Sequence, residues 1–89
     1  MIIEFDRSFI KSLDKIRDKV ILSKVEKVII NLEKAKSLVE IPNLKKLVGY
    51  KTYYRIRIGD YRLGLEKIDD NTLRLIILAN RKNIYKAFP

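Results

Sequence analysis

The sequence contains no cysteine, no histidine and no tryptophan. Without cysteine the chain can form neither disulfides nor thiolate zinc sites. Without histidine it lacks the most frequent general base of neutral-pH catalysis and the commonest metal ligand. We therefore expect no metal site and no cofactor. Any catalysis must rely on arginine, lysine, tyrosine and carboxylate side chains.

Long apolar runs are also missing. No stretch approaches the roughly 18 apolar residues of a membrane-spanning helix, and the opening Met-Ile-Ile-Glu-Phe does not resemble a signal peptide. We therefore expect a soluble, cytoplasmic protein with no membrane partner. At 89 residues, the chain is expected to form one domain spanning positions 1–89.

What the sequence has in excess is positive charge. It carries 20 Lys and Arg against 11 Asp and Glu, a net charge of +9, and 47% of its residues are hydrophobic, enough for a folded core. The charge is uneven: positions 1–34 hold 8 basic and 6 acidic side chains, whereas positions 35–89 hold 12 and 5. Such an excess predicts an anionic partner, either nucleic acid or an acidic protein segment.

The first half of the sequence predicts one strand followed by two helices. Ile2–Phe5 is a short apolar run, and Asp6 suits the N-cap of a helix from Arg7 to about Arg17. From about Asp18 to Lys36, apolar residues recur at intervals of three and four, which predicts a longer amphipathic helix. Pro42 disfavours helix, so positions 37–53 are predicted to be a connector.

After the connector the apolar period changes from 3.6 to 2, which predicts strands. Gly59-Asp60 favours a two-residue hairpin turn that aligns Arg57 with Arg62 and Arg55 with Gly64. Cross-strand partners share a face, so the predicted core face consists of Tyr54, Ile56, Leu63 and Leu65. A second turn at Asp69-Asp70-Asn71 leads to a strand over Leu73–Ala79, with Glu66 opposite Arg74 and Leu65 opposite Leu75.

The predicted fold is therefore α+β, in the order β-α-α-β-β-β. A small antiparallel sheet packs against two N-terminal helices, and the tail, Asn80–Pro89, forms a short turn or helix. If that tail is helical, Arg81 and Tyr85 share a face because they are four residues apart. Tyrosines near a chain end often serve only packing, so Tyr85 has both a structural and a functional interpretation.

Three arginines gather on the predicted outer face of the hairpin. Arg57 lies opposite Arg62, and like charges in direct opposition destabilise a sheet. Such local conflicts are typical of functional sites, where an anionic ligand supplies the countercharge, and the planar guanidinium suits phosphate. Gly64, opposite Arg55, predicts open space for an approaching backbone or base. The alternative is a solubilising face whose charge Glu66 and Asp60 relieve.

These residues resemble a known family. The segment Leu47-Val48-Gly49, the run from Tyr54 to Leu63 (YRIRIGDYRL) and the later Asn80-Arg81-Lys82-Asn83-Ile84-Tyr85 look like the RelE/ParE superfamily of bacterial toxins from type II toxin–antitoxin pairs. The resemblance covers almost the whole chain, because the element order and the length also fit.

The resemblance implies a metal-independent endoribonuclease that cuts mRNA on the ribosome and is neutralised by a cognate antitoxin. In that scheme the 2′-hydroxyl of the RNA attacks the adjacent phosphate, so no histidine, cysteine or metal is required. The implied catalytic residues are Arg62, Arg81 and Tyr85, with Tyr85 acting as general base or stacking on a base. The implied RNA phosphate-binding residues are Arg55, Arg57, Lys51 and Lys82.

One departure keeps alternatives open. Some relatives use a Glu/His pair for proton transfer, whereas this chain has no histidine and Asn80 precedes Arg81. The chain therefore resembles the arginine-rich RelE branch or is catalytically weak. The ParE branch, whose members inhibit DNA gyrase without nuclease activity, is the main alternative, and an RNA-binding module without cleavage is the second.

Overall fold

The computed structural model describes all 89 residues and contains five strands that form one sheet. In chain order the elements are β1 Ile2–Phe5, α1 Arg7–Asp14, α2 Lys19–Lys34, a 3₁₀ turn Leu38–Glu40, β2 Leu44–Lys46, β3 Tyr53–Ile58, β4 Tyr61–Asp69, β5 Thr72–Asn80 and α3 Ile84–Ala87. The spatial order of the strands is β1-β5-β4-β3-β2. The predicted α+β class, with two N-terminal helices followed by a meander, is confirmed.

The sheet differs from the prediction at both of its edges. It is mixed rather than antiparallel, because β1 pairs in parallel with β5, Ile3 lying opposite Leu73. The predicted connector contains β2, which pairs with β3 and places Lys45 opposite Arg55. Alternation shows which face of a strand is buried but does not identify its neighbour. A three-residue edge strand close to Pro42 also gives too short a pattern to detect.

Capping side chains set the helix boundaries. The Asp6 carboxylate accepts a hydrogen bond from the backbone N–H of Ser8, as expected of the N-cap of α1. The helix ends at Asp14 rather than near Arg17, because the Lys15 N–H bonds to carbonyls only two and three residues back. Asp18 has an extended backbone and caps α2, which separates the two helices.

The predicted meander register is confirmed. Arg57 lies opposite Arg62, Arg55 opposite Gly64, and Glu66 opposite Arg74. Gly59 has a φ of +58°, as the first position of a glycine-first two-residue turn requires. The second turn contains two residues rather than three. A bulge between Lys67 and Asp69 shifts the pairing by one residue, so Glu66 still lies opposite Arg74 as predicted.

The main core lies between the helices and one face of the sheet. Its 14 buried residues include Phe9 from α1, Val25 and Leu32 from α2, and the predicted inward residues Ile56, Leu63 and Leu65. Tyr54, the fourth residue predicted for this face, is half-buried and packs against the cluster. No helix combines the length and apolar character needed to cross a membrane.

The Asp6 carboxylate joins β1, α1 and β5. Its Oδ2 accepts from the Ser8 N–H (3.1 Å) and lies 2.5 Å from the Ser8 hydroxyl, which also contacts the Ile76 carbonyl. Its Oδ1 lies 3.2 Å from Nη2 of Arg74. The Ser8 hydrogen bonds, assisted by Arg74, hold the pKa of Asp6 below its usual value. Asp69 has a lowered pKa as well, because the Asn71 N–H and the Thr72 side chain donate to it.

Because the pKa values of Asp6 and Asp69 are lowered in the folded state, we expect the protein to lose folding stability in acid. A lowered pKa in the folded state stabilises the fold above the ordinary aspartate range, and that stability is lost as the pH falls through the folded-state pKa. We expect Asp6→Asn to lower Tm by several degrees at neutral pH. The difference from wild type should shrink below about pH 4. Thermal melts over a pH series measure this, with Asp14→Asn as a control, and a constant difference at all pH values would contradict it.

Candidate functional site

The outer face of the sheet carries a pocket of about 190 Å³ lined only by polar and charged side chains. Arg55 and Arg57 come from β3 and Arg62 from β4, while Asn43 and Lys45 belong to the segment of β2. Strand pairing creates the pocket, because Arg57 faces Arg62 directly and Lys45 faces Arg55. The three arginines predicted from the hairpin register therefore meet in one place.

No carboxylate neutralises this pocket. The ion pairs of the structure join Lys67 to Asp70 and Arg74 to Glu4 and Asp6, all away from the three arginines. Glu66 and Asp60, the acidic residues expected to relieve the charge if the face were merely solubilising, form no ion pair. A concave site with four cationic side chains and no neutralising carboxylate has the electrostatics of a phosphate or carboxylate binding site.

Backbone carbonyls orient the Arg62 guanidinium. Its Nη1 donates to the carbonyls of Gly59 (2.8 Å) and Tyr61 (2.9 Å), both at the β3–β4 turn. The backbone N–H of Arg81 donates to the carbonyl of Asp60 in the same turn (2.8 Å). The turn therefore anchors the Arg62 side chain and the Arg81 backbone.

Asn43 and Lys45 were not predicted from the sequence. Asn43 has a φ of +63°, and its carbonyl accepts a hydrogen bond from the backbone N–H of Arg57. This bond holds the start of β2 beside the pocket. The available signals were weak: an asparagine after proline is typical of a turn, and Leu44 between Asn43 and Lys45 gives a minimal inward–outward alternation.

Tyr85 lies beside the arginines. Its hydroxyl accepts a hydrogen bond from Nη1 of Arg55 at 2.5 Å, and the Arg55 guanidinium carbon lies 5.6 Å from the centre of its ring. Tyr85 is 63% exposed, so it does not serve core packing. The expected helical face shared with Arg81 is wrong, because α3 begins only at Ile84 and positions 81–83 form turns.

The remaining predicted residues lie outside the arginine pocket. The Lys82 N–H donates to the side chain of Asn80 (3.0 Å), which closes the turn that separates β5 from α3. Lys51 lies in the loop between β2 and β3. Arg81, Lys82 and Lys51 are all exposed, and none of them lines the pocket.

The open space predicted at Gly64 is filled. A Cβ atom at Gly64 would lie 2.7 Å from ring carbons of Phe88, so the tail of the chain occupies the gap that the missing side chain leaves. Phe88 is 3% exposed and Ile84 is 1% exposed, and both are separate from the main core. Gly64 therefore allows the C-terminal segment to pack on the outer face of the sheet, and its missing side chain does not leave space for a ligand.

The geometry defines a class: a small, basic α+β protein with an arginine-rich pocket on the outer face of its sheet. The family model described as "ParE toxin of type II toxin-antitoxin system, parDE" matches residues 3–85. The chain belongs to this toxin family, within the RelE/ParE superfamily.

Relatives with the RelE name are also similar. Toxin RelE3 of Methanocaldococcus jannaschii is 33% identical over 86 residues, which cover 96% of each chain. The structure of a RelB-RelE antitoxin-toxin complex from Methanococcus jannaschii superposes with a TM-score of 0.80 at 32% identity, covering 97% of this chain and 99% of that one. A RelE-RelB complex from Pyrococcus horikoshii (TM-score 0.69, 22% identity, 90% and 93% coverage) shares the fold.

Because the arginines of the pocket have no carboxylate partner, we expect anions to stabilise the folded protein. We expect inorganic phosphate to raise Tm by several degrees over chloride at equal ionic strength, because only the folded state presents the pocket. Arg57→Gln should stabilise the protein in chloride by about 0.2–1 kcal/mol, since it removes a like-charge pair, and should reduce the effect of phosphate. Arg17→Gln, an equal charge change on an exposed residue elsewhere, is the control. An equal response of both variants to phosphate would argue against a built site.

Because Phe88 packs on Gly64, we expect substitutions at these two positions to have coupled effects on the free energy of unfolding. Gly64→Ala forces a Cβ into the ring, and overpacking of this kind costs about 1–3 kcal/mol. In a Phe88→Ala background the same change should cost little, because the clash is gone. Urea unfolding of wild type, both single variants and the double variant measures the coupling energy. Additive effects would show that Phe88 does not occupy the space above Gly64.

Proposed function

We propose that this toxin is a metal-independent endoribonuclease that cleaves mRNA on the ribosome, in the cytoplasm, with residues 1–89 acting as one domain. The observation that carries the proposal is the arginine pocket: three guanidinium groups without a carboxylate, one of them hydrogen-bonded to an exposed tyrosine hydroxyl. Phosphoryl chemistry needs this combination of positive charge at the phosphate and a proton-transfer group beside it.

The proposed reaction uses a nucleophile supplied by the substrate. The 2′-hydroxyl oxygen of the RNA attacks the adjacent phosphorus, and the bond from phosphorus to the 5′-oxygen breaks. A cyclic phosphate remains on the upstream fragment, and the departing 5′-oxygen takes up a proton from water. Tyr85 is the proposed general base for the proton of the 2′-hydroxyl. Arg62, inside the pocket, and Arg81, which is exposed outside it, are the proposed residues that stabilise the charge growing on the phosphate oxygens.

The remaining cationic residues hold the strand. Arg55 and Arg57 line the pocket and bind the scissile phosphate and its neighbour, with one of them assisting the departing 5′-oxygen. Lys51 and Lys82, which are exposed beyond the pocket, contact phosphates further along the RNA. Each such contact adds to the salt dependence of RNA binding.

A cognate antitoxin is the proposed protein partner. Similar toxins from Methanococcus jannaschii and Pyrococcus horikoshii were crystallised as complexes with RelB antitoxins. The net charge of +9 favours an acidic segment of the partner. Such a segment would cover the pocket in competition with RNA.

DNA gyrase is the alternative target, and the ParE description of the matching family model favours it. Under that alternative the arginine pocket is a surface for binding a protein partner and no RNA is cut. Primer extension on an mRNA translated in a purified system separates the two functions. Cuts within codons that depend on ribosomes support the nuclease, whereas intact mRNA together with inhibited DNA supercoiling supports the gyrase inhibitor.

Single substitutions test the proposed roles. We expect Arg62→Ala to slow cleavage by about 10²–10³-fold and Tyr85→Phe, which keeps the ring and removes the hydroxyl, by about 10²–10⁴-fold. Rates are measured at saturating ribosomes, and Arg17→Ala serves as the charge-matched control. Thermal melts show whether each variant is folded. A Tyr85→Phe variant that cleaves like wild type would exclude the tyrosine as the base.

A further inference from the structure

A second, larger cavity adjoins the arginine pocket and has a different character. It has a volume of about 400 Å³, and its walls are mostly apolar, formed by the β2–β3 loop on one side and the C-terminal segment on the other. We call it the aromatic groove; its main walls are Leu47, Val48, Tyr50, Tyr85 and Phe88. Arg55 lines both cavities, so the groove and the arginine pocket share a wall.

Tyr50, one of the groove's aromatic side chains, is exposed yet held in place. Tyr50 is 47% exposed, and its ring packs edge-on against Tyr53 with 5.6 Å between centroids. Tyr53 in turn packs edge-on against Phe88 at 5.4 Å, and Phe88 sits on Gly64. The three rings form a continuous chain across the outer face, which orients Tyr50.

Backbone hydrogen bonds shape the loop that carries Tyr50. The Leu47 N–H donates to the Tyr53 carbonyl (2.9 Å), and the Tyr50 N–H donates to the Leu47 carbonyl (3.3 Å). Gly49 has a φ of +85°, a conformation that favours glycine, and allows the loop to turn back toward the sheet. Tyr50 is therefore a preorganised exposed ring at the edge of a cationic site.

We propose that the aromatic groove binds one nucleobase of the RNA segment whose phosphate occupies the arginine pocket, with Tyr50 as its stacking platform. The inference rests on the proposed function and adds a base-contacting residue to it. A cavity lined by aromatic and aliphatic side chains together with Arg55 and Lys46 matches a nucleotide, in which a flat apolar base is joined to an anionic phosphate. Exposed aromatic rings beside cationic grooves bind bases largely independently of sequence.

The proposal predicts a base-dependent affinity that Tyr50 controls. Fluorescence anisotropy at low salt compares a labelled oligoadenylate with an abasic oligonucleotide of equal length. We expect wild type to bind the oligoadenylate roughly 5- to 100-fold more tightly. Tyr50→Ala should remove most of this preference with the abasic affinity unchanged, and Tyr50→Phe should keep it. Arg57→Ala should weaken both ligands to a similar extent.

Phe5→Ala is the matched control, because Phe5 is also a 47% exposed aromatic residue but lies in β1, at the opposite edge of the sheet. It should retain the preference, and thermal melts verify that each variant is folded. The proposal is overturned if wild type binds both oligonucleotides equally, or if Tyr50→Ala keeps the preference, as it would if the groove held a side chain of a protein partner. Base-dependent binding without cleavage on ribosomes would overturn the proposed function and leave the groove assignment standing.

Discussion

The pairing of β3 with β4 is the constraint on which the rest of the structure depends. The Gly59-Asp60 turn sets its register, and a slip of one residue would exchange the inward and outward faces of a strand. In the observed register Ile56 and Leu63 share the buried face, while Arg57 and Arg62 share the outer one. The burial of apolar side chains therefore holds two like charges opposite each other, against their mutual repulsion.

The outer face is divided between packing and binding. Phe88 of the C-terminal segment covers the part above Gly64, where the absence of a side chain provides the room, and Ile84 of the same segment is buried. The part above Arg57 and Arg62 stays uncovered and forms the arginine pocket. Tyr85 lies between Ile84 and Phe88 in the chain, so the packing of its neighbours places its hydroxyl against Arg55. The short helix α3 therefore buries Ile84 and exposes the neighbouring Tyr85 beside Arg55.

The sequence predicted the elements whose signals are local. The Asp6 cap, the glycine-first turn and the hairpin register follow from side-chain chemistry and from the period of two, and they sufficed to bring Arg55, Arg57 and Arg62 together. The parallel pairing of β1 with β5 was missed because a strand pattern carries no information on its neighbour. The role of Gly64 was misread for a related reason, since the residue that fills its space lies 24 positions later in the chain. Asn43 and Lys45 were missed along with the short strand that presents them.

For the proposed reaction, the hydrogen bonds around Arg62 and Tyr85 bear on how a site without histidine could stabilise charge. An arginine has five N–H donors, and in Arg62 the Nη1 group is occupied by two backbone carbonyls. The Nε and Nη2 donors remain, and together they form the side-on fork that fits a phosphate. Because the guanidinium is already oriented, binding the growing negative charge requires little reorganisation. The Tyr85 hydroxyl oxygen accepts a hydrogen bond from Arg55, which fixes the position of that oxygen beside the pocket. Orientation by the backbone and charge from arginine thus provide what an imidazole provides elsewhere.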